Sequence, residues 1–169
     1  IRFRRNFGKA AALSAGFAAA RGTVVFTMDA DLQDSPDEIP ELYRMIQEEG
    51  YDLVSGWKQD RKDPISKTVP SKLFNYTTSK LSGIKLHDFN CGLKAYRKEV
   101  VKILSIYGEM HRFITLLAYL EGAQIKQVPV RHHARNAGVS KYGLERVFKV
   151  IADLMLLLFI RKYFQRPIH

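Results

Sequence analysis

Thr23–Gln33, TVVFTMDADLQ, decides the fold: a β-branched apolar run ends in two carboxylates, Asp29 and Asp31, spaced one residue apart. The run reads as a buried strand whose polar end emerges at the sheet edge where open α/β proteins place their ligands. At a period of two, Asp29 and Asp31 share a side of the extended segment while Ala30 faces the other way. Two hard oxygen ligands facing one way suit Mg²⁺ or Mn²⁺, particularly when substrate phosphate oxygens complete the shell. The same residues also read as an acidic loop that only caps the next helix, because D-x-D arises readily by chance.

Upstream, IRFRRNFGKAAALSAGFAAARG reads as an Arg-rich loop and a helix from about Phe7 to Ala20, stopped by Gly22. It is not a secretory leader, since Lys9 and Ser14 interrupt its apolar positions. A chain that opens on a helix and at once supplies a core-type strand is expected to be truncated at its N-terminus. Downstream, DSPDEIPELYRMIQEEG has Pro36 and acidic residues near a helix start and ends at Gly50. YDLVSGW follows as a short strand, and KQDRKDPISKTVP as a long polar segment. SKLFNYTTSKLSG fits an amphipathic helix with Leu73, Phe74, Thr77 and Leu81 as its apolar stripe. HDFNCGLKAYRKEVVKILSIYG predicts a turn, a short strand and a helix, and EMHRFITLLAYLEG another short helix. In IKQVPVRHH, a strand candidate, Pro129 argues for an edge or a terminus. ARNAGVSKYG is then a basic loop.

The 169 residues are one domain's worth of chain, and the single Cys91 excludes an internal disulfide framework. A net charge of +10 predicts attraction to anions, among which nucleic acid, anionic lipid and phosphorylated small molecules all qualify. The closing pattern from Leu144 is helical. Its apolar core, IADLMLLLFI from Ile151 to Ile160, falls short of the roughly 20 residues a bilayer span needs and contains Asp153. Flanked by RVFK and RKYFQR, it suits an interfacial helix whose face around Ile151, Leu154, Leu158 and Phe159 meets lipid, or else a terminal core helix or subunit interface.

The chain resembles the catalytic domain of a family 2 glycosyltransferase, in the branch of dolichol-phosphate mannose synthases and bacterial polyprenyl-phosphate hexose transferases. The resemblance is carried by RRNFGKAAALSAGF, DADLQDSPDEIPEL, DFNCGLKAYR, HRFITLLAYLEG, VPVRHHARNAGVSKYG and RKYFQRPIH, in that order along nearly the whole chain. It implies a GT-A fold, a mixed and mostly parallel sheet flanked by helices. A partial GT-A catalytic domain would occupy residues 1–148 and an amphipathic juxtamembrane helix residues 149–169. It further implies a nucleotide-sugar donor, a Mg²⁺ or Mn²⁺ cofactor, a polyprenyl-phosphate acceptor, contact with membrane lipid, and residence on the cytoplasmic face of a membrane. The expected reaction is inverting transfer of a hexose, from UDP-glucose or GDP-mannose, to the acceptor phosphate.

Residue by residue, the resemblance puts Asp29 near the donor ribose and metal, Asp31 as principal metal ligand, and Gln33 as a nearby amide of the metal shell. Asp34 either supports these groups or caps the next helix. Asp88 and Asn90 border the donor sugar, and His111 and Arg112 lie near the cleft on the acceptor side. Arg131, Arg135, Ser140 and Lys141 suit phosphate recognition, since Arg binds phosphate bidentately, Ser adds a hydroxyl and Lys a movable charge. The resemblance sets them close to donor pyrophosphate or acceptor phosphate, with Lys141 also reaching the donor, and makes a lid of the segment holding Arg61 and Lys62. Asp29, Asp31 and Arg131 are the residues expected to carry the chemistry. An acceptor phosphate is already an anion, so no side chain need deprotonate it.

Two other functions compete. A basic nucleic-acid-binding module is favoured by 27 Lys and Arg residues, but these are distributed among loops and the aromatic residues form no single-strand recognition motif. A noncatalytic membrane assembly subunit is the other. Zinc is disfavoured, because the adjacent His132 and His133 would point to opposite faces of an extended segment.

Overall fold

The computed structural model describes residues 1–59, 75–80, 83–131, 133, 152–157 and 159. Arg61, Lys62, Arg135, Ser140 and Lys141 lie outside the described residues, as do Leu73, Phe74, Leu81, Ile151 and Leu158. Among the described residues one sheet forms from β1 (Val24–Thr27), β2 (Leu53–Trp57), β3 (Lys94–Arg97) and β4 (Ile125–Pro129), in the order β1-β3-β2-β4. β3 is antiparallel to both β1 and β2, while β2 and β4 are parallel. Three strands therefore run one way and β3 is reversed between β1 and β2, so the described sheet is mixed, with one parallel pairing where a mostly parallel sheet was expected.

The central strands β2 and β3 are almost wholly buried. β1 corrects the reading of a buried strand: all four of its residues are only half-buried. It lies at one end of the described sheet, so strand pairing covers only one of its edges. β4 lies at the other end, with Pro129 as its last residue, and a missing N–H costs least there.

Helices cover both faces. α1 (Lys9–Ala19), α3 (Lys98–Ile103) and α4 (Ile114–Leu120) share a core with Leu53 and Tyr96, and Phe17 of α1 meets the Tyr96 ring edge-on at 5.4 Å between centroids. α2 (Ile39–Gln47) packs Leu42 and Ile46 on the opposite face, against Val54, Leu93, Ala95 and Val128. Leu53 and Val54, like Tyr96 and Ala95, thus divide between the two cores by strand alternation. The open C-terminal end of α1 is closed by Lys102 Nζ, which donates to the carbonyls of Phe17 and Ala18 at 2.7 Å each.

Residues 75–80 and 152–157 are also helical. Leu154 and Leu157 are buried in the same core as Phe17 and Tyr96, whereas Met155, Leu156 and Phe159 are exposed. The lipid-facing stripe expected at Ile151, Leu154 and Leu158 is thereby corrected at Leu154, whose side chain is consumed by the core. No helix among the described residues is long and apolar enough to cross a membrane.

Candidate active site

The C-terminal ends of β1, β2 and β4 and the N-terminal end of β3 meet at one sheet edge, as the pairings Thr27 with Lys94 and Trp57 with Pro129 require. β1 stops at Thr27 and the chain turns at Ala30–Asp31, so the two aspartates are presented by a turn and not by same-face positions of a continuing strand. Leu32 completes the turn with φ 60, a left-handed conformation that few non-glycine residues adopt, and its side chain is exposed. Asp31 Oδ1 accepts from the Gln33 N–H at 3.3 Å.

Asp29 is fixed from two sides. Its Oδ1 accepts from Lys9 Nζ at 2.5 Å, and a Cβ built on Gly92 would lie 2.5 Å from its Oδ2 and 2.7 Å from its Cγ. Only glycine at position 92 leaves room for this carboxylate. Burial acts to raise the Asp29 carboxyl, but the Lys9 hydrogen bond and the charges of Lys9, Lys58 and Lys94 outweigh it and hold the group below its ordinary 3.8. It is therefore an anion throughout the neutral range.

The rest of the acidic loop is clasped to the chain leaving β4. His133 N donates to the Gln33 carbonyl at 2.8 Å, Gln33 Nε2 donates to the His133 carbonyl at 3.1 Å, and Arg131 N donates to Glu38 Oε1 at 3.3 Å. The Gln33 amide nitrogen is thus engaged in loop closure, and Arg131 is carried beside the loop with its residue exposed. The choice left open for Asp34 resolves against the helix cap: Ser35 Oγ accepts from Asp37 N at 3.3 Å at the start of the 3₁₀ turn Pro36–Glu38. Asp34 is buried instead, 3.4 Å from Lys58 Nζ.

Beside Asp29 opens a cleft of about 290 Å³ whose lining includes Lys9, Thr27, Asp29, Asn90, Lys94, Tyr96 and His111. Of the residues anticipated from sequence, it brings together Asp29, Asn90 and His111. Asp88 is buried behind it, where its Oδ1 accepts from Asn90 N at 2.9 Å and shapes the turn. Gln127 staples that turn by accepting from His87 N at 2.7 Å and donating to the Asp88 carbonyl at 2.6 Å. Arg112 is half-buried, with Nε donating to Glu109 Oε2 at 3.1 Å, and His111 Nε2 lies 3.9 Å from the same oxygen.

Lys9 and Lys94 were not anticipated. Lys94 is buried in β3 on the same strand face as Tyr96, and its ammonium donates to the Cys91 carbonyl. Burial pushes its pKa down, opposed by the nearby Cys91, Asp88 and Asp29. A sequence signal for Lys9 did exist: a cation at a helix N-terminus is opposed by the helix dipole, and α1 has no acidic residue in its first turn to answer it. Cys91 is no candidate nucleophile, because burial pushes its thiol up to about 11 and keeps it protonated.

Among the described residues no three His, Cys, Asp or Glu side chains converge on a metal position. The donor set is two carboxylates, one of them held ionised. Such a set fits Mg²⁺ or Mn²⁺ that takes its remaining ligands from phosphate oxygens and water, and does not fit a closed zinc site.

The family model for glycosyl transferase family 2 matches residues 1–104. A dodecaprenyl-phosphate galacturonate synthase of Rhizobium johnstonii is 42% identical over an alignment covering 100% of this chain and 51% of that protein. An undecaprenyl-phosphate 4-deoxy-4-formamido-L-arabinose transferase of Shewanella sediminis is 38% identical, covering 92% of this chain and 46% of its own length. The chain thus spans about half the length of the curated relatives it matches. Among solved structures, glucosyl-3-phosphoglycerate synthase from Mycobacterium tuberculosis, in complex with Mn²⁺, UDP and glucosyl-3-phosphoglycerate, superposes with a TM-score of 0.67 at 18% identity, over 92% of this chain and 55% of that one. That likeness establishes the GT-A fold. With the family model spanning more than half of its length, the chain belongs to glycosyl transferase family 2.

Proposed function

We propose that the full-length protein transfers a glycosyl group from a nucleotide-sugar to the phosphate of a polyprenyl phosphate on the cytoplasmic face of a membrane. One observation carries the reading: the ionised Asp29, seated on Gly92 beside Lys9, faces a cleft shared with Asn90 and His111. Relatives named for polyprenyl-phosphate sugar transfer support the acceptor class. The sugars in those names are a uronate and a formamido-arabinose, so the donor class extends beyond UDP-glucose and GDP-mannose.

In this reading an acceptor phosphate oxygen attacks the anomeric carbon as the bond from that carbon to the donor diphosphate breaks, with inversion. The electron pair leaves with the nucleoside diphosphate, and no protein base is required. Asp29 and Asp31 would hold Mg²⁺ or Mn²⁺, which when bound offsets the charge gathering on the leaving diphosphate. Asn90, on its stapled turn, offers an amide to the donor sugar. His111 in the cleft and the exposed Arg131 are proposed to contact phosphate, with Arg131 supplying a fixed positive charge for a transferring anion. Arg61, Arg112, Arg135, Ser140 and Lys141 complete the proposed phosphate-binding set, with residues 149–169 as the juxtamembrane helix. The test supplies full-length protein with undecaprenyl phosphate and radiolabelled UDP-glucose, GDP-mannose and nucleotide-linked galacturonate, with and without Mn²⁺. Label in the lipid extract from any donor supports transfer. Tight, salt-sensitive nucleic-acid binding with no lipid product would replace it with the binding-module reading.

The membrane-facing surface is now Met155, Leu156 and Phe159, which stand on the side of the helix away from the buried Leu154 and Leu157. Replacing Met155 and Phe159 with Glu is expected to abolish flotation of the 169-residue chain with anionic vesicles while its circular dichroism stays native. Undiminished flotation would remove this face from membrane contact.

A further inference from the structure

Lys9 is the first residue of α1, and its ammonium reaches Asp29, with which it lines the cleft. The helix dipole disfavours a cation at that position. Asp29 is the acidic partner to which the Lys9 ammonium is bound, at 2.5 Å, and both side chains keep access to solvent. The second oxygen of Asp29 is pressed toward Gly92. Lys58, 3.4 Å from Asp34, and Lys94, bound to the Cys91 carbonyl, add positive potential at the same carboxylate. A divalent ion approaching Asp29 therefore meets an oxygen already neutralised at contact distance, with two more cations nearby.

We propose that Lys9 is a resident counter-cation at Asp29 that a divalent metal ion displaces, so that metal loading depends on an anionic donor whose diphosphate takes over the Lys9 ammonium. The exchange balances only with the donor in place: a dication replaces the singly charged ammonium on the carboxylate, and the negative charges of the donor diphosphate offset the added metal while giving the ammonium a new anion. Lys9 acts through Asp29 and is a positioning residue. The inference rests on the reading of Asp29 and Asp31 as the metal carboxylates.

The test is a Mn²⁺ titration of the full-length protein, followed by the electron paramagnetic resonance signal of free Mn²⁺, alone and with UDP or GDP. Lys9→Met is expected to bind Mn²⁺ about threefold to tenfold more tightly than wild type in the absence of nucleotide, as removal of a half-exposed competing charge allows. Nucleoside diphosphate should then raise its Mn²⁺ affinity by a smaller factor than in wild type. Lys9→Gln should repeat the gain, and Lys9→Arg should restore wild-type affinity. A lysine that served only to hold the loop in shape would give weaker Mn²⁺ binding on removal. Unchanged or weaker nucleotide-free binding in Lys9→Met and Lys9→Gln overturns the proposal, and the metal reading stands if Asp31→Asn loses Mn²⁺. Wild-type Mn²⁺ binding by both Asp29→Asn and Asp31→Asn overturns the metal reading and the proposal together.

Discussion

Asp31→Asn in the full-length protein is expected to lower sugar transfer by about a hundredfold or more while leaving the fold unchanged, because it removes a formal charge from a proposed metal ligand without changing its shape. Asparagine keeps an Oδ1 that can accept the 3.3 Å bond from Gln33 N, so the turn that presents the side chain survives. Residue 31 is half-buried at a turn outside both hydrophobic cores, and the stability cost should stay within about 0.5 kcal/mol. Asp29→Asn is a less clean variant, since it also breaks the contact with Lys9. Initial rates across a Mn²⁺ series, with thermal melts beside them, make the measurement. Turnover within threefold of wild type at low Mn²⁺ would remove Asp31 from the metal site.

What was legible in the sequence follows from how local each signal is. The helix ending before Gly22, the Pro36 start of the second helical segment, and the DFNCGLKAYR turn and strand are set by neighbours within a few residues, and they are where the reading put them. The burial of β1 was misjudged because a β-branched run reads the same at the centre of a sheet as at its edge, and strand order is not local. The alternation argument for Asp29 and Asp31 failed for a related reason: nothing in MDADL marks the point where extension gives way to a turn, and Leu32 adopts a left-handed conformation no propensity would assign it. For Leu154 the sequence leaves a lipid-facing helix and a terminal core helix both open, because an amphipathic stripe does not say whether its apolar side meets a bilayer or its own domain; the structure takes the core. Lys94 carries no local signal: nothing beside a lysine between Leu93 and Ala95 says that both faces of β3 are covered by helices or that its ammonium bonds inward.

Gly92→Ala tests the position of the Asp29 carboxylate without removing a charge from the site. The added Cβ would stand 2.5 Å from Asp29 Oδ2, 2.7 Å from Cγ and 3.1 Å from Oδ1, so the whole carboxylate must move. No left-handed backbone strain adds to this, because Gly92 is not among the residues with positive φ. What moves is the end of a side chain at the cleft mouth, which can swing at little cost to the fold. Stability should fall by no more than about 1 kcal/mol, whereas turnover should fall about a hundredfold, since misplacing a reacting group by an ångström costs on that order. Gly56→Ala is the matched control. There the Cβ would meet Cys91 Sγ and Val130 Cγ2 at 2.9 Å and the Leu93 carbonyl at 3.2 Å, inside the core on the α2 face, and the loss should be about 1–3 kcal/mol of stability by overpacking. Chemical denaturation and single-turnover rates on both variants decide the matter. If Gly92→Ala keeps wild-type Mn²⁺ affinity and rate, the position of Asp29 against the 88–92 turn is not what the reaction uses, and the active-site assignment of that carboxylate fails with it.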